Sequence, residues 1–113
     1  MDNFYARFDI SYPFQILRFR SAHDYKWDSL YAFPGESHNF WEFIYVADGN
    51  IEVVEDQKIY TLSSGNFICH APMEFHRIRN IAATQAHVLI TSFEHTGALP
   101  QILANGIFQL SEN

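Results

Sequence analysis

With 113 residues, 48% of them hydrophobic and 17% aromatic, the chain has enough apolar material for one compact core and too little length for two ordinary domains. Thirteen acidic against seven basic residues give a formal charge of −6, and no stripe of Lys or Arg is present to track a phosphate backbone, which argues against direct contact with nucleic acid. No charged and apolar leader pattern starts at Met1, no apolar run approaches the ~20 residues of a membrane span, and the lone Cys69 has no cysteine partner, so a cytoplasmic protein without a membrane partner is expected, with Cys69 a small buried thiol.

The chain then reads as a succession of short strands. Residues 14–20, rich in Phe, Ile and Leu, are the first candidate. Across 21–35 the aromatics Tyr25, Trp27, Tyr31 and Phe33 fall at odd positions, the period of a strand, with Trp27 expected inward. Residues 40–46 carry the strongest strand pattern, and Asp48-Gly49-Asn50 predicts a hairpin to a strand over 51–55. Asp56-Gln57 leads into 58–62, Ser63-Ser64-Gly65 turns into 66–70, and Pro72 ends regular pairing. Strands over 75–81 and 86–93 follow, so turns recur about every 8–12 residues, the spacing of an antiparallel all-β sandwich or barrel. After Thr96-Gly97 the period changes. Leu99, Ile102, Leu103 and Ile107 fall at helical spacing, with Thr96 as cap and Asn105-Gly106 as stop, predicting a short C-terminal helix whose apolar stripe packs on the barrel or pairs two chains.

Chemistry concentrates in two segments. In His38-Asn39-Phe40-Trp41-Glu42 an imidazole and a carboxylate four residues apart are expected on one face of a strand, together with Phe40, Ile44 and Val46, while Trp41, Phe43 and Tyr45 face the other way. Both faces are apolar, so Glu42 is expected to be buried and to need a partner: His38, His70 or His76, a cation, or a hydroxyl-rich ligand. The second segment, residues 65–80, brings His70 to a strand end before Pro72 and His76 just beyond it. The candidate ligand-binding residues are therefore His38, Glu42, His76, His70, Trp27 and Phe40. Trp27, Trp41 and Tyr45 are of a type that stacks on a sugar ring or fills a core. Arg77 and Arg79 are expected to face solvent, Glu74 to be exposed in a turn, and His23, His87 and His95 to be structural or exposed.

The spacing His38-x3-Glu42-x6-Gly49, then Gly65-x10-His76-x3-Asn80, resembles the two motifs of the cupin superfamily over roughly residues 36–80. Within it, His38-x-Phe40-x-Glu42-Phe43-Ile44-Tyr45-Val46-x-x-Gly49, Tyr60-x-Leu62-x-x-Gly65, Pro72-x-Glu74-Phe75-His76 and Ile90-x-Ser92-Phe93-Glu94 resemble the amino-terminal sensor domain of AraC-type transcription regulators. The resemblance implies a double-stranded β-helix, that is a jelly-roll barrel, forming one cupin-like sensor domain over 1–113. It also implies a small-molecule effector, a sugar being one candidate, a homodimer, and DNA contact only through a helix-turn-helix domain absent from this chain. Enzymatic cupins bind a metal through two motif-one histidines, the motif-one glutamate and the motif-two histidine. Here Glu36 stands at the first of those positions, so the resemblance implies Glu36, His38, Glu42 and His76 as a set for a divalent transition metal, with a metal-free polar pocket as the other reading. Leu30 and Met73 occupy motif glycine positions, which predicts altered loops at both ends. A non-enzymatic sensor is the first reading of function. A small metal-dependent isomerase, dehydratase or dioxygenase is the alternative.

Overall fold

Period-two alternation of apolar and polar side chains drives this chain into strands rather than helices. In the computed structural model, which describes residues 15–97 and 107–109, the strands are β1 (Gln15–Trp27), β2 (Ala32–Glu36), β3 (Trp41–Asp48), β4 (Asn50–Glu55), β5 (Lys58–Ser63), β6 (Asn66–His70), β7 (His76–Asn80), β8 (Ala86–Thr96) and β9 (Ile107–Gln109). They form two antiparallel sheets, ordered β1-β8-β3-β6-β9 and β2-β7-β4-β5. The result is an all-β, jelly-roll-like sandwich, with no helix among the described residues.

Burial follows the pleat. In β7, His76, Ile78 and Asn80 are buried while Arg77 and Arg79 are exposed; in β8, Ala86, Val88, Ile90 and Ser92 point inward. Between the sheets lie Ile44 and Val46 of β3, Ile51 and Val53 of β4, Leu62, Ile68, Ile78, Val88 and Trp27. Each fully buried aliphatic side chain of this kind contributes roughly 1.5–3 kcal/mol relative to exposure. Trp41, Cys69 and Phe93 make a second, smaller cluster, and burial pushes the Cys69 thiol pKa up.

Three expectations need correction. The Asp48-Gly49 turn does not make a hairpin: β3 pairs with β6 and β8, whereas β4 pairs with β5 and β7 in the other sheet. Gly49, at φ 102°, turns the chain out of one sheet and into the next. Turn chemistry specifies a reversal, and both edges of each strand are already taken, those of β3 by β6 and β8 and those of β4 by β5 and β7. The tight hairpin is β4–β5, where Glu55 faces Lys58 across Asp56-Gln57 and Asp56 adopts φ 52°. Next, the two predicted segments 14–20 and 21–35 are largely one strand, β1, interrupted only by irregularities between Ile16 and Arg18 and between Phe19 and Ser21. Finally, Ile107, assigned to the C-terminal helix, lies in β9 opposite Ile68. Thr96, its proposed cap, ends β8. Leu99, Ile102, Leu103 and Asn105-Gly106 lie outside the described residues.

Candidate functional site

Register assembles the site. In one sheet a single rung runs Ser21, Ser92, Glu42, His70 through β1, β8, β3 and β6. In the other, a rung runs Glu36, His76, Glu55 through β2, β7 and β4. The next inward rung is apolar in its centre: Ile90, Ile44 and Ile68 on one side, Ile78 and Val53 on the other. One end of the sandwich is thus polar on both inner faces, and the side chains meet there.

Glu36 reaches this rung by a bulge. Phe33 faces Ile78 and Glu36 faces His76, so three steps along β2 match two along β7. Without the extra residue at Pro34-Gly35, simple alternation would place Glu36 on the opposite face from Phe33. Gly35 takes φ 121°, and a Cβ there would lie 2.3 Å from Cζ of Phe75, so the bulge requires glycine. His38 also departs from expectation: it lies in the loop before β3, not on the strand with Glu42. Its ring stacks flat on Phe40 at 3.9 Å between centroids, and Nδ1 donates to the Phe40 carbonyl at 2.9 Å, which aims Nε2 at the carboxylates.

The donor atoms converge. His38 Nε2 is 3.5 Å from Glu36 Oε1 and 3.7 Å from Glu42 Oε1; His76 Nε2 is 3.5 Å from Glu36 Oε1 and 3.0 Å from Glu42 Oε2. His76 Nδ1 donates to the Glu74 carbonyl at 3.2 Å. Both Nε2 atoms are buried and lack an aligned hydrogen-bond partner among the described residues. A buried polar nitrogen left wholly unmet costs about 1–3 kcal/mol, and the neighbouring carboxylates recover only part of that here, so a partner from outside the chain is favoured. Burial pushes the Glu42 carboxyl up, but His76, with His70 and His38, more than reverses it and holds the group below the usual carboxylate range. Burial pushes His76 down, and Glu42, the Glu74 carbonyl and Glu36 outweigh it and raise the imidazole.

This donor set fits a divalent first-row ion. Atoms on neighbouring vertices around an ion at ~2.1 Å lie ~3.0 Å apart in an octahedron and ~3.4 Å apart in a tetrahedron. The four observed separations fall within a few tenths of these values, and the two imidazoles already turn Nδ1 to backbone carbonyls, the outer support that fixes a ligating histidine.

Beside the cluster opens a cavity of about 520 Å³. Its floor includes Glu36, Glu42, His76, Ser21 and Ser92, and its wall Phe33, Phe40, Ile78 and Ile90. A second wall is an aromatic ladder on β1 and the following turn: His23 on Tyr25 at 5.2 Å, Tyr25 on Trp27 at 5.7 Å, and Trp27 on Tyr31 at 4.3 Å. Burial raises the Tyr31 pKa.

Of the candidates named from the sequence, Glu42, His76, Glu36, Trp27 and Phe40 line this cavity, and His38 joins them through the donor cluster. His70 is fully buried behind His76, its ring stacked on that ring at 4.2 Å and 4° between planes, and it does not line the cavity. Trp41 packs with Cys69 and Phe93 in the outer cluster, away from the cavity. Glu74 is not exposed as expected: its side chain is 17% accessible, because Met73 takes φ 68° and folds the loop back on His70. Met73, at the motif glycine position, thus adopts the backbone that glycine would supply, with its N–H donating to the His38 carbonyl at 2.6 Å. Arg79 is exposed and pairs with Glu52 through two hydrogen bonds of 2.9 and 3.1 Å. Sequence reasoning missed His23, Tyr25, Tyr31, Phe33, Ser21 and Ser92 as lining residues. The odd-position aromatics over 25–33 held the signal for Tyr25, Tyr31 and Phe33.

The cupin-domain family model matches residues 28–92, more than half of the chain and the span that holds every donor of the cluster. The chain belongs to the cupin family. Its fold is shared by solved cupin-like structures at low identity: a predicted oxalate decarboxylase from Thermotoga maritima (TM-score 0.65, 18% identity, covering 67% of each chain) and a Cupin 2 conserved barrel domain protein from Salinispora arenicola (0.60, 14%, 80% of this chain and 71% of that one). A conserved Streptococcus pyogenes protein of unknown function is similar too (0.61, 15%), with 65% of this chain matching 62% of its length, less than two thirds. These likenesses extend to the fold alone. No curated protein matches the chain. Among the described residues of this cupin, no helix is long and apolar enough to cross a membrane.

Proposed function

We propose that this cupin is the effector-binding sensor domain of an AraC-type transcription regulator. The observation that carries this reading is the cavity of about 520 Å³, within the usual ~300–1,000 Å³ for small-molecule sites, which joins a ladder of aromatic faces to a floor of carboxylate and imidazole. The resemblance of residues 38–49, 60–65, 72–76 and 90–94 to AraC-type sensors gives it direction. The effector has a ring or apolar body for the His23–Tyr31 ladder and hydroxyl donors for Glu36 and Glu42, so sugars are the first class to test. Binding favours one arrangement of the chain over another by differential contacts, and a DNA-reading domain outside this sequence reads the result. Pairing of two chains belongs to the same proposal; a monomer at tens of micromolar in sedimentation would remove it.

The test is a thermal-shift screen of sugars and small metabolites on wild type and Glu42→Gln. A true effector at a hundred times its Kd adds ~2.7 kcal/mol to wild type and much less to the variant. If no compound in the screen stabilises wild type, the sensor reading fails.

A second reading, a small metal-dependent cupin enzyme of the isomerase, dehydratase or dioxygenase type, is favoured by one observation: Glu36, His38, Glu42 and His76 each offer a ligand atom, all within 4.8 Å of one another. Elemental analysis of protein purified without a metal-affinity step decides it. Well under one ion per chain, even after soaking, removes the enzyme reading.

A further inference from the structure

Behind the cavity lies a second group of donors that the sensor site does not use. Glu55 ends the inward row Ile51-Val53-Glu55 of β4, His70 ends β6, and Glu74 sits in the loop before β7. Their ligand atoms lie within 4.8 Å of one another, with His70 Nδ1 at 3.4 Å from Glu74 Oε1 and 3.7 Å from Glu55 Oε2. The Glu55 side chain is only 8% accessible, and its Oε2, facing the imidazole, has no hydrogen-bond partner among the described residues. A buried carboxylate oxygen without a donor is costly, and the two carboxylates approach each other. Burial and the neighbouring Glu74 push the Glu55 carboxyl up to about 8, so the group either keeps a proton or takes another cation in its place.

The loop that carries Glu74 is held at both ends. Met73 N–H donates to the His38 carbonyl, Asp56 N–H donates to the Phe75 carbonyl at 2.8 Å, and Phe75 N–H donates to Asp56 Oδ1 at 3.2 Å. Glu74 is therefore fixed beside His70 rather than swinging in solvent, and its partial exposure leaves a way in for a hydrated ion. Three donors from three separate elements, two of them buried, are already in place before any ligand arrives.

We propose that Glu55, His70 and Glu74 form a second divalent-cation site, distinct from the Glu36–His38–Glu42–His76 cluster, which takes a first-row transition ion such as Zn²⁺. One imidazole and two carboxylates suit that class of ion by ligand type. The two sites share a wall, because the His70 ring stacks on His76 and the Glu74 carbonyl orients His76 through Nδ1. An ion on Glu74 therefore anchors the segment that aims His76 at the first cluster. By linkage, whatever effect an ion in one site has on the affinity of the other is reciprocal.

The experiment is a count of Zn²⁺ retained after chelator treatment, reloading and dialysis of the full chain, on three proteins. Wild type is expected to hold two ions per chain, Glu55→Gln with Glu74→Gln one, and His38→Ala with Glu42→Gln one. The last protein reports the second site by itself, so failure of the first cluster to bind metal is read separately and leaves this proposal standing. An ion count for Glu55→Gln with Glu74→Gln equal to that of wild type overturns it, since any bound ion then sits elsewhere and the three residues are a proton-sharing pair with a neutral imidazole. Glu74→Gln alone, at the least buried position, guards against misfolding: with unchanged circular dichroism it is expected to weaken the second ion at least tenfold, and an unchanged Kd contradicts the proposal.

Discussion

The two ends of β7 are both buried and both polar, yet they are built to opposite standards. At one end Asn80 is saturated: its amide donates to the carbonyls of Trp27, Asp28 and Thr84 at 3.2, 3.0 and 2.9 Å, and its Oδ1 accepts from Ala82 N–H at 2.9 Å. At the other end His76 Nε2, His38 Nε2 and Glu55 Oε2 are buried with no aligned partner. Three residues of one strand separate Asn80, which closes the fold, from His76, which faces the site. Burial alone does not distinguish the two ends of β7; the state of hydrogen-bond satisfaction does.

The largest effect is expected at the satisfied end. Asn80→Ala strands three carbonyls and one N–H, and should cost about 3 kcal/mol or more in urea unfolding while leaving ligand-induced stabilisation intact. A variant that keeps its stability but loses ligand response would erase the contrast. At the other end the effect on the ligand-free protein is smaller and the effect on ligand response larger: Glu42→Gln should lower ligand-free stability by about 1 kcal/mol and remove most of the ~2.7 kcal/mol that ligand at a hundred times Kd provides. Thermal melts with and without Zn²⁺, or with an effector from the screen, read both numbers.

Acid–base behaviour sharpens the same comparison. In the chelator-treated protein, the folded chain holds a proton on Glu55 between pH 4.5 and about 8 that the unfolded chain has released, so this group lowers stability as pH rises through that window. Burial, with His76, lowers the His70 imidazole to about 4, so the unfolded chain takes up a proton below pH 6.5 that the folded one refuses, and this group lowers stability as pH falls. The two contributions cancel between pH 4.5 and 6.5 and leave a decline between pH 6.5 and 8, to which the raised His76 adds in the same direction. Glu55→Gln should flatten that decline in a pH series of unfolding midpoints, whereas Asn80→Ala should leave its shape unchanged. The smallest effect concerns the loop: Met73→Gly relieves a left-handed backbone and should stabilise by at most about 1 kcal/mol, with its gain offset in part by a freer unfolded chain.

Much of this was legible in the residues, because strand alternation is a local property. The inward rows of β3, β7 and β8 follow from period two, and the meeting of His38, Glu42 and His76 from the two motifs, although His38 reaches the cluster from a loop rather than from the strand. Glu55 was legible by the same rule, as the next inward position after Ile51 and Val53, and passed unremarked because a glutamate before a turn reads as solvated. What escaped was decided by contacts between distant segments. The Asp48-Gly49 turn gave no sign that β3 and β4 join different sheets. The bulge at Pro34-Gly35 that re-aims Glu36 depends on register with β7, and the burial of Glu74 depends on a methionine taking a glycine backbone. The helical spacing that included Ile107 was a weaker guide than its pairing with Ile68 in β9.

The buried imidazole Nε2 atoms of His38 and His76, turned together toward Glu36 and Glu42, are there to be met from outside the chain. Long-range ¹H–¹⁵N spectra of the histidine rings in chelator-treated protein, before and after two equivalents of Zn²⁺, test it most directly. Nε2 of His38 and His76 is expected to shift to the range of a metal-bound nitrogen while both Nδ1 atoms stay protonated on their carbonyls. Nε2 resonances unchanged by Zn²⁺ and by every stabilising compound of the screen, in a protein that otherwise stays folded, would contradict it.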